Sequence, residues 1–492
     1  MQQQERIFKP NTGSSAEVTS KHVKEKMEHT KNKREQRLEK RRKDPSVECT
    51  NIVKLIQTFP IDQFLHEKEP IAICETLLEV LKTRDIEPFF GPSDMFDQVA
   101  GQPFLFANKH VINKLLSLLA SQHKFLLQTV SHILIIISAH PETLTWTTPL
   151  MKGLPLMLTI ITNHEDTTIR ENIIWTLAHM CIDNSQMNRH IYPKVIAAIE
   201  KNLVYALEKQ QWNVISICVF FIKSMLHHKQ ESPNVSEIMS LWNILINKLF
   251  LNEYFTEEDI DKTYEMTMCT IANAAKVSDE FRIHICKNAT LMDRIINPKK
   301  HASNLYLTHA DILTSLLLTQ ETHLPLIQMG ILKLFKSFLF DKQPTIREEG
   351  AGGLLIISTC FAAIPFLTEE SFLNVIEKIL IRNDIRKVVI PIKFLFCNLL
   401  IYKEALPKMT HMLKYLDTIL YEKYDNDLLL VCLKGILNFC KHNDEKLMQN
   451  ALEEFDGITQ IEKISLTHSD QEISSLAIKI LNTFNQEMDL SE

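Results

Sequence analysis

Eight apolar segments of similar pattern recur along this chain at nearly even spacing, and that recurrence limits the fold more than any other feature. They align on a helical stretch in which a small or polar residue follows a large one by four. The reference positions are then Ile136, His179, Ser224, Asn273, Thr314, Ile356, Asn398 and Asn438, at intervals of 43, 45, 49, 41, 42, 42 and 40 residues. Residues four apart share one helix face. Turn signals break the segments, as at Asn163 to Asp166, Asp341 to Pro344 and His442 to Asp444, so each period holds two or three helices. A unit of that size buries its apolar face only against its neighbours. The 492 residues contain only 10 glycines, about 2 per cent against a usual value of roughly 7, which leaves little material for sheet turns or phosphate-binding loops. The expectation is an all-α repeat array running from residue 47 to 486, about ten repeats long, with a short acidic tail at 487–492.

Charge divides the chain before any helix is placed. Residues 1–44 hold 13 Lys or Arg and 7 Asp or Glu, a net of +6, whereas the remainder carries a net of −12. Within this arm, Lys21 to Asp44 has good helix formers but almost no apolar face, so it needs a partner to order it and reads as either disordered or captured as a helix. Two states of the cluster follow: solvated in isolation, or held against the carboxylates of an acidic partner. The first 45 residues include no apolar stretch of the length a secretory leader requires. The ten cysteines are scattered without a C-x-x-C spacing, which signals neither a disulfide framework nor a metal site and fits a reducing compartment. One stretch, Gly350 to Thr368, is 19 residues without a charge, close to the length that spans a bilayer. Three glycines at one end, a Pro near the other, and an uninterrupted repeat period argue for a buried helix instead.

A period near 42 lies in the range of armadillo and HEAT arrays, and particular residues sharpen this. The segment Ile169 to Ile196 (IRENIIWTLAHMCIDNSQMNRHIYPKVI) resembles an importin-alpha armadillo repeat, with pattern V-x-E-x-A-x-W-A-L-x-N-I-A-x-D-x-x-x-x-R. The segment Asp456 to Phe484 resembles the closing repeats of that family. The run Lys33 to Lys43 (KREQRLEKRRK) is similar to the end of its importin-beta-binding segment, K-x-E-Q-x-L-K-R-R, with Glu39 as one extra residue. The resemblance implies a right-handed armadillo superhelix with a basic receptor-binding arm (1–46), in which Lys33, Arg34, Arg37, Lys40, Arg41, Arg42 and Lys43 meet an importin-beta type receptor. It further implies shuttling between cytoplasm and nucleus, and autoinhibition by the arm.

In that family, repeated Trp/Asn pairs line a groove: indoles hold the aliphatic stems of bound lysines and the amides bond the peptide backbone. At the implied major site the pairs read His132/Ile136, Trp175/His179 and Phe220/Ser224; Glu171 and Asp183 match the family's carboxylates around Trp175. At the minor site they read Ala310/Thr314, Gly352/Ile356 and Phe394/Asn398, with Glu349 matching a carboxylate and Pro391 replacing the next one; the fifth repeat has Cys269/Asn273. The implied cargo groove is therefore Glu171, Trp175, His179, Asp183, Phe220, Ser224, Asn273, Glu349, Phe394 and Asn398, much reduced from the family's pattern. Each has a plainer reading: Trp175 as packing, Asp183 as a helix-end cap, His179 as a satisfied wall residue.

Enzyme motifs such as G-x-x-x-x-G-K-[ST], H-E-x-x-H and G-x-S-x-G do not occur, and no cofactor or small-molecule substrate is signalled. The leading expectation is a nuclear import adaptor that carries basic-signal cargo; the alternative is an armadillo scaffold whose altered groove binds other protein partners. The arm's charge would suffice for nucleic acid, but no base-reading or stacking module follows it.

Overall fold

The computed structural model describes residues 59–81, 109–139 and 150–486, apart from 184, 229–230, 252–256, 298–305, 383, 422–424, 443–444 and 455. The basic arm, with Lys33, Arg34, Arg37, Lys40, Arg41, Arg42 and Lys43, and the acidic tail lie outside the described residues. Every regular element among those described is helical. The chain divides into two compact units at Leu156/Met157. In the first, helices Ile61–His66, Ile71–Leu81, Lys109–Leu118 and Lys124–Ser138 bury Phe64, Cys74, Leu77, Leu115, Val130 and Leu134.

The second unit carries one row of helices, α1 (Thr167–Asp183), α2 (Trp212–Met225), α3 (Glu257–Val277), α4 (Tyr306–Leu316), α5 (Pro344–Ile357), α6 (Arg386–Leu399), α7 (Asn426–His442) and α8 (Gln471–Gln486). Each packs on the next. Seven of the eight reference positions fall one to a helix on α1 to α7, and Ile136 falls on Lys124–Ser138 of the first unit. Shorter helices connect the row: Gln320–Gln328 and Ile331–Phe338, for example, precede α5. This is an all-α armadillo-type solenoid. Its helices hold position by burying most of their surface: on α1, Ile169, Ile173, Ile174, Leu177, Ala178 and Cys181 are 0% exposed, while Glu171, Trp175 and His179 remain half-buried. Each such aliphatic burial contributes about 1.5–3 kcal/mol. Burial also pushes the Cys218 and Cys286 thiols up to about 12, so these side chains act as small apolar groups.

The uncharged stretch at Gly350 to Thr368 is not one rod: α5 and the segment Phe361–Leu367 meet at 112°. No single helix among the described residues is long and apolar enough to cross a membrane. Two of the three glycines serve close packing. Added Cβ atoms would lie 2.8 Å from Phe338 Cβ at Gly350 and 2.5 Å from the ring of Phe335 at Gly353, but would meet nothing within 4 Å at Gly352. Phe335 and Phe338 are buried and cannot swing away. Opposite outcomes are therefore expected for two identical substitutions. Gly353→Ala loses about 1–3 kcal/mol to overpacking, exceeding its gain in helix propensity, whereas Gly352→Ala keeps the gain of about 1 kcal/mol. Thermal midpoints by circular dichroism, falling for the first and rising for the second, are the check. Ahead of Ile331–Phe338, Gly330 adopts φ 87°, the left-handed conformation that lets the chain reverse between two helices.

Candidate functional site

Trp175 and His179 sit one turn apart on α1, and Phe220 occupies the matching level of α2. Helix-to-helix stacking brings the three rings together: Trp175 and Phe220 centroids are 4.5 Å apart, Trp175 and His179 5.5 Å, and His179 and Phe220 5.7 Å with planes at 82°. All three are half-buried. Lys223, one turn after Phe220, places its Nζ 6.0 Å from that ring's centre. The spacing decides how such a cluster grips a ligand. A methylene chain held between two rings needs them about 7–8 Å apart, twice the carbon contact distance, so these rings, 4.5–5.7 Å apart, leave no room for one between them. His179 thus joins the wall as an aromatic ring, where the sequence register had it replacing a backbone-binding amide.

One turn before Trp175, the Glu171 side chain is half-buried and borders a depression of about 320 Å3 with Thr167, Gln211, Trp212 and Asn213. Burial raises its carboxyl above the ordinary value, opposed by the Arg170 charge and reinforced by Asp166. Among the described residues no hydrogen bond or ion pair closes on this carboxylate. Gln211 Oε1, in the same depression, is buried without a hydrogen-bond partner. Trp212 and Gln211 went unnoticed in the sequence, although Trp212, Ser216 and Phe220 share a stripe four residues apart. The Asp183 side chain lies outside the described residues.

The remaining predicted residues do not form one binding ladder. Ser224 is fully buried, and its hydroxyl donates to Phe220 O of its own helix at 2.8 Å, so it is a packing residue and not a groove residue. Asn273 Nδ2 donates to Lys223 O (3.1 Å), Asn398 Nδ2 to Ser358 Oγ (2.9 Å), and Asn438 Nδ2 to Leu400 O and Ile401 O (both 3.0 Å). Each amide reaches the C-terminal end of the preceding row helix; Asn273 and Asn438 bond carbonyls that lack intrahelical partners there, and Asn398 bonds the Ser358 hydroxyl. The asparagines thus tie neighbouring repeats together, which reduces what they offer to a ligand. Phe394 is half-buried on α6, and Glu349 is half-buried on α5 with its backbone carbonyl 3.5 Å from Thr314 Oγ1. The structure gathers Glu171, Trp175, His179 and Phe220 at α1–α2; Asn273, Glu349, Phe394 and Asn398 are distributed over α3, α5 and α6.

No protein-family model matches this chain, and neither does any curated protein sequence. Solved structures do. An engineered protein superposes with TM-score 0.67 at 14% identity, covering 88% of this chain and 98% of its own. A structure from work on a phosphorylation switch controlling the interaction between cadherin and beta-catenin superposes with TM-score 0.61 at 12% identity, covering 88% of this chain and 86% of its own. Computationally designed armadillo repeat proteins for modular peptide recognition give TM-score 0.41 over 49% of this chain. At these identities the likeness is one of fold.

Proposed function

We propose that the chain is a non-catalytic adaptor of importin-alpha type, whose α1–α2 face takes a basic segment of a cargo protein and whose N-terminal arm engages an importin-beta type receptor, the complex passing between cytoplasm and nucleus. The observation that carries the cargo half is the Trp175–His179–Phe220 cluster with the Glu171 carboxylate, unpaired among the described residues, one turn away. An aromatic face attracts a lysine or arginine by its quadrupole and by contact with the aliphatic stem, and a carboxylate without a partner supplies the counter-charge. Fluorescence titration of the full-length protein with a Lys/Arg-rich peptide tests it. Trp175→Ala is expected to weaken binding about tenfold, equivalent to about 1.4 kcal/mol; equal affinity for both proteins would sink the cargo half. Charge reversal at Lys40, Arg41, Arg42 and Lys43 should abolish receptor capture in a pull-down without weakening peptide binding.

The internal hydrogen bonds of Asn273 and Asn398 favour a second reading, a scaffold gripping partners that lack basic signals. Partners recovered equally by wild type and Trp175→Ala would support it.

A further inference from the structure

Beyond the aromatic cluster the row is lined by lysines that bond carboxylates of the adjacent repeat. Lys276 on α3 meets Asp311 on α4 at 2.5 Å; Lys387 on α6 meets Glu348 on α5 at 3.7 Å; Lys434 on α7 meets Glu472 on α8 at 2.7 Å. Every second gap of the row from α3 onward is bridged in this way. Helical spacing puts these residues near the register stripe: Lys276 three after Asn273, Asp311 three before Thr314, Glu348 four before Gly352, and Lys387 seven before Phe394. Lys434 itself stands four before Asn438, at the aromatic position. All six side chains retain solvent contact, with exposures from 18% to 60%, so they meet any segment laid along the row.

We infer that Lys276, Lys387 and Lys434 are specificity-determining residues that keep basic segments off the α3–α8 part of the row, confining a basic ligand to the α1–α2 cluster. The inference rests on the groove reading above. Exposed ion pairs contribute little stability, about 0–1 kcal/mol each, so their effect on binding exceeds their effect on folding. An incoming ammonium gains nothing from a carboxylate whose cation is tethered beside it, and it meets that cation's repulsion. Glu171 differs because, among the described residues, no ion pair or hydrogen bond closes on its carboxylate. The groove thereby accepts one basic cluster and rejects a second one further along the same segment.

The test uses the full-length protein and its Lys276→Ala/Lys387→Ala/Lys434→Ala variant, titrated by fluorescence anisotropy with a short peptide bearing one basic cluster and a long peptide bearing two. The triple variant is expected to bind the long peptide at least tenfold more tightly than wild type does, with unchanged affinity for the short one. A Lys→Arg triple should behave as wild type. An unchanged affinity for the long peptide, with thermal unfolding also unchanged, overturns the inference while wild-type binding of the short peptide leaves the groove reading standing. A gain for the long peptide in the variant, where wild type ignores the short one, supports the role of the lysines and removes the groove reading instead. Equal gains for both peptides would show general charge relief and also overturn the inference.

Discussion

Replacing Arg347 by alanine is expected to cost about 3–5 kcal/mol of stability, the usual consequence of leaving one partner of a buried ion pair alone. Arg347 on α5 reaches Asp384, just ahead of α6, through two parallel bonds, Nε to Oδ2 at 3.1 Å and Nη2 to Oδ1 at 2.9 Å. Its remaining nitrogen caps Asp341 O and Lys342 O. The Asp384 side chain is only 2% exposed. Burial works against its ionised form, yet the Arg347 guanidinium and the Ile385 N–H together hold its carboxyl below the ordinary range. This contribution is present above the ordinary carboxylate value and is lost as pH falls through the lowered one. Truncating the arginine leaves the carboxylate facing Arg382 Nε at 3.6 Å and two carbonyls uncapped. Because repeats contact only their neighbours, the loss should concentrate in α5 and α6, as faster amide hydrogen exchange there than in α1 and α2. A change below about 1 kcal/mol would mean that water readily replaces the guanidinium. Arg347→Ala combined with Asp384→Asn is expected to recover part of the loss.

Acidification from pH 7 to 5 should weaken the fold through His309 by about 2 kcal/mol. This imidazole on α4 is 2% exposed and its Nδ1 lies 3.0 Å from Ile295 O, which makes Nδ1–H the donor. Burial pushes it down to about 4, more than the carbonyl bond raises it, while the unfolded chain keeps the ordinary value near 6.5. Between those two pH values the unfolded state takes up a proton that the folded state refuses. Stability is therefore full above about 6.5 and falls at about 1.4 kcal/mol per pH unit, to a total of about 3 kcal/mol near pH 4. His323, also buried and lowered chiefly by burial, acts in the same direction. Urea midpoints at both pH values for wild type and His309→Gln isolate the effect, since glutamine keeps an N–H donor but does not titrate. An equal pH response in the two proteins would exclude His309 as a source.

The register drawn from apolar spacing placed residues on the correct helices because helical periodicity is a one-dimensional property: His179, Ser224, Asn273, Thr314, Ile356, Asn398 and Asn438 all occupy separate row helices. It also put Trp175 and Phe220 at equivalent levels, since both stand four before a register residue. What it could not supply is the distance across the gap between helices. Trp175 and Phe220 touch, Ser224 is fully enclosed, and the asparagine amides turn back to the preceding repeat; each depends on how closely two helices approach and on the side-chain torsions that approach permits. The lysine–carboxylate rungs were hidden for the same reason, their partners lying 35 to 39 residues apart in the sequence. Lys434 alone left a trace, by occupying an aromatic register position.

Scarce glycine, a period near 42 residues and the amphipathic stripe within each period determined an all-α repeat array, because any helix carrying such a stripe must bury it against a neighbour of its own kind. The division of charge between arm and body was equally plain. Only the tertiary structure decided which groups in the array remain open to a ligand. Whether a carboxylate such as Glu171 stays unpaired while Asp311 and Glu348 acquire lysines depends on packing between repeats, which sets distances of a few ångströms that no spacing along the chain encodes.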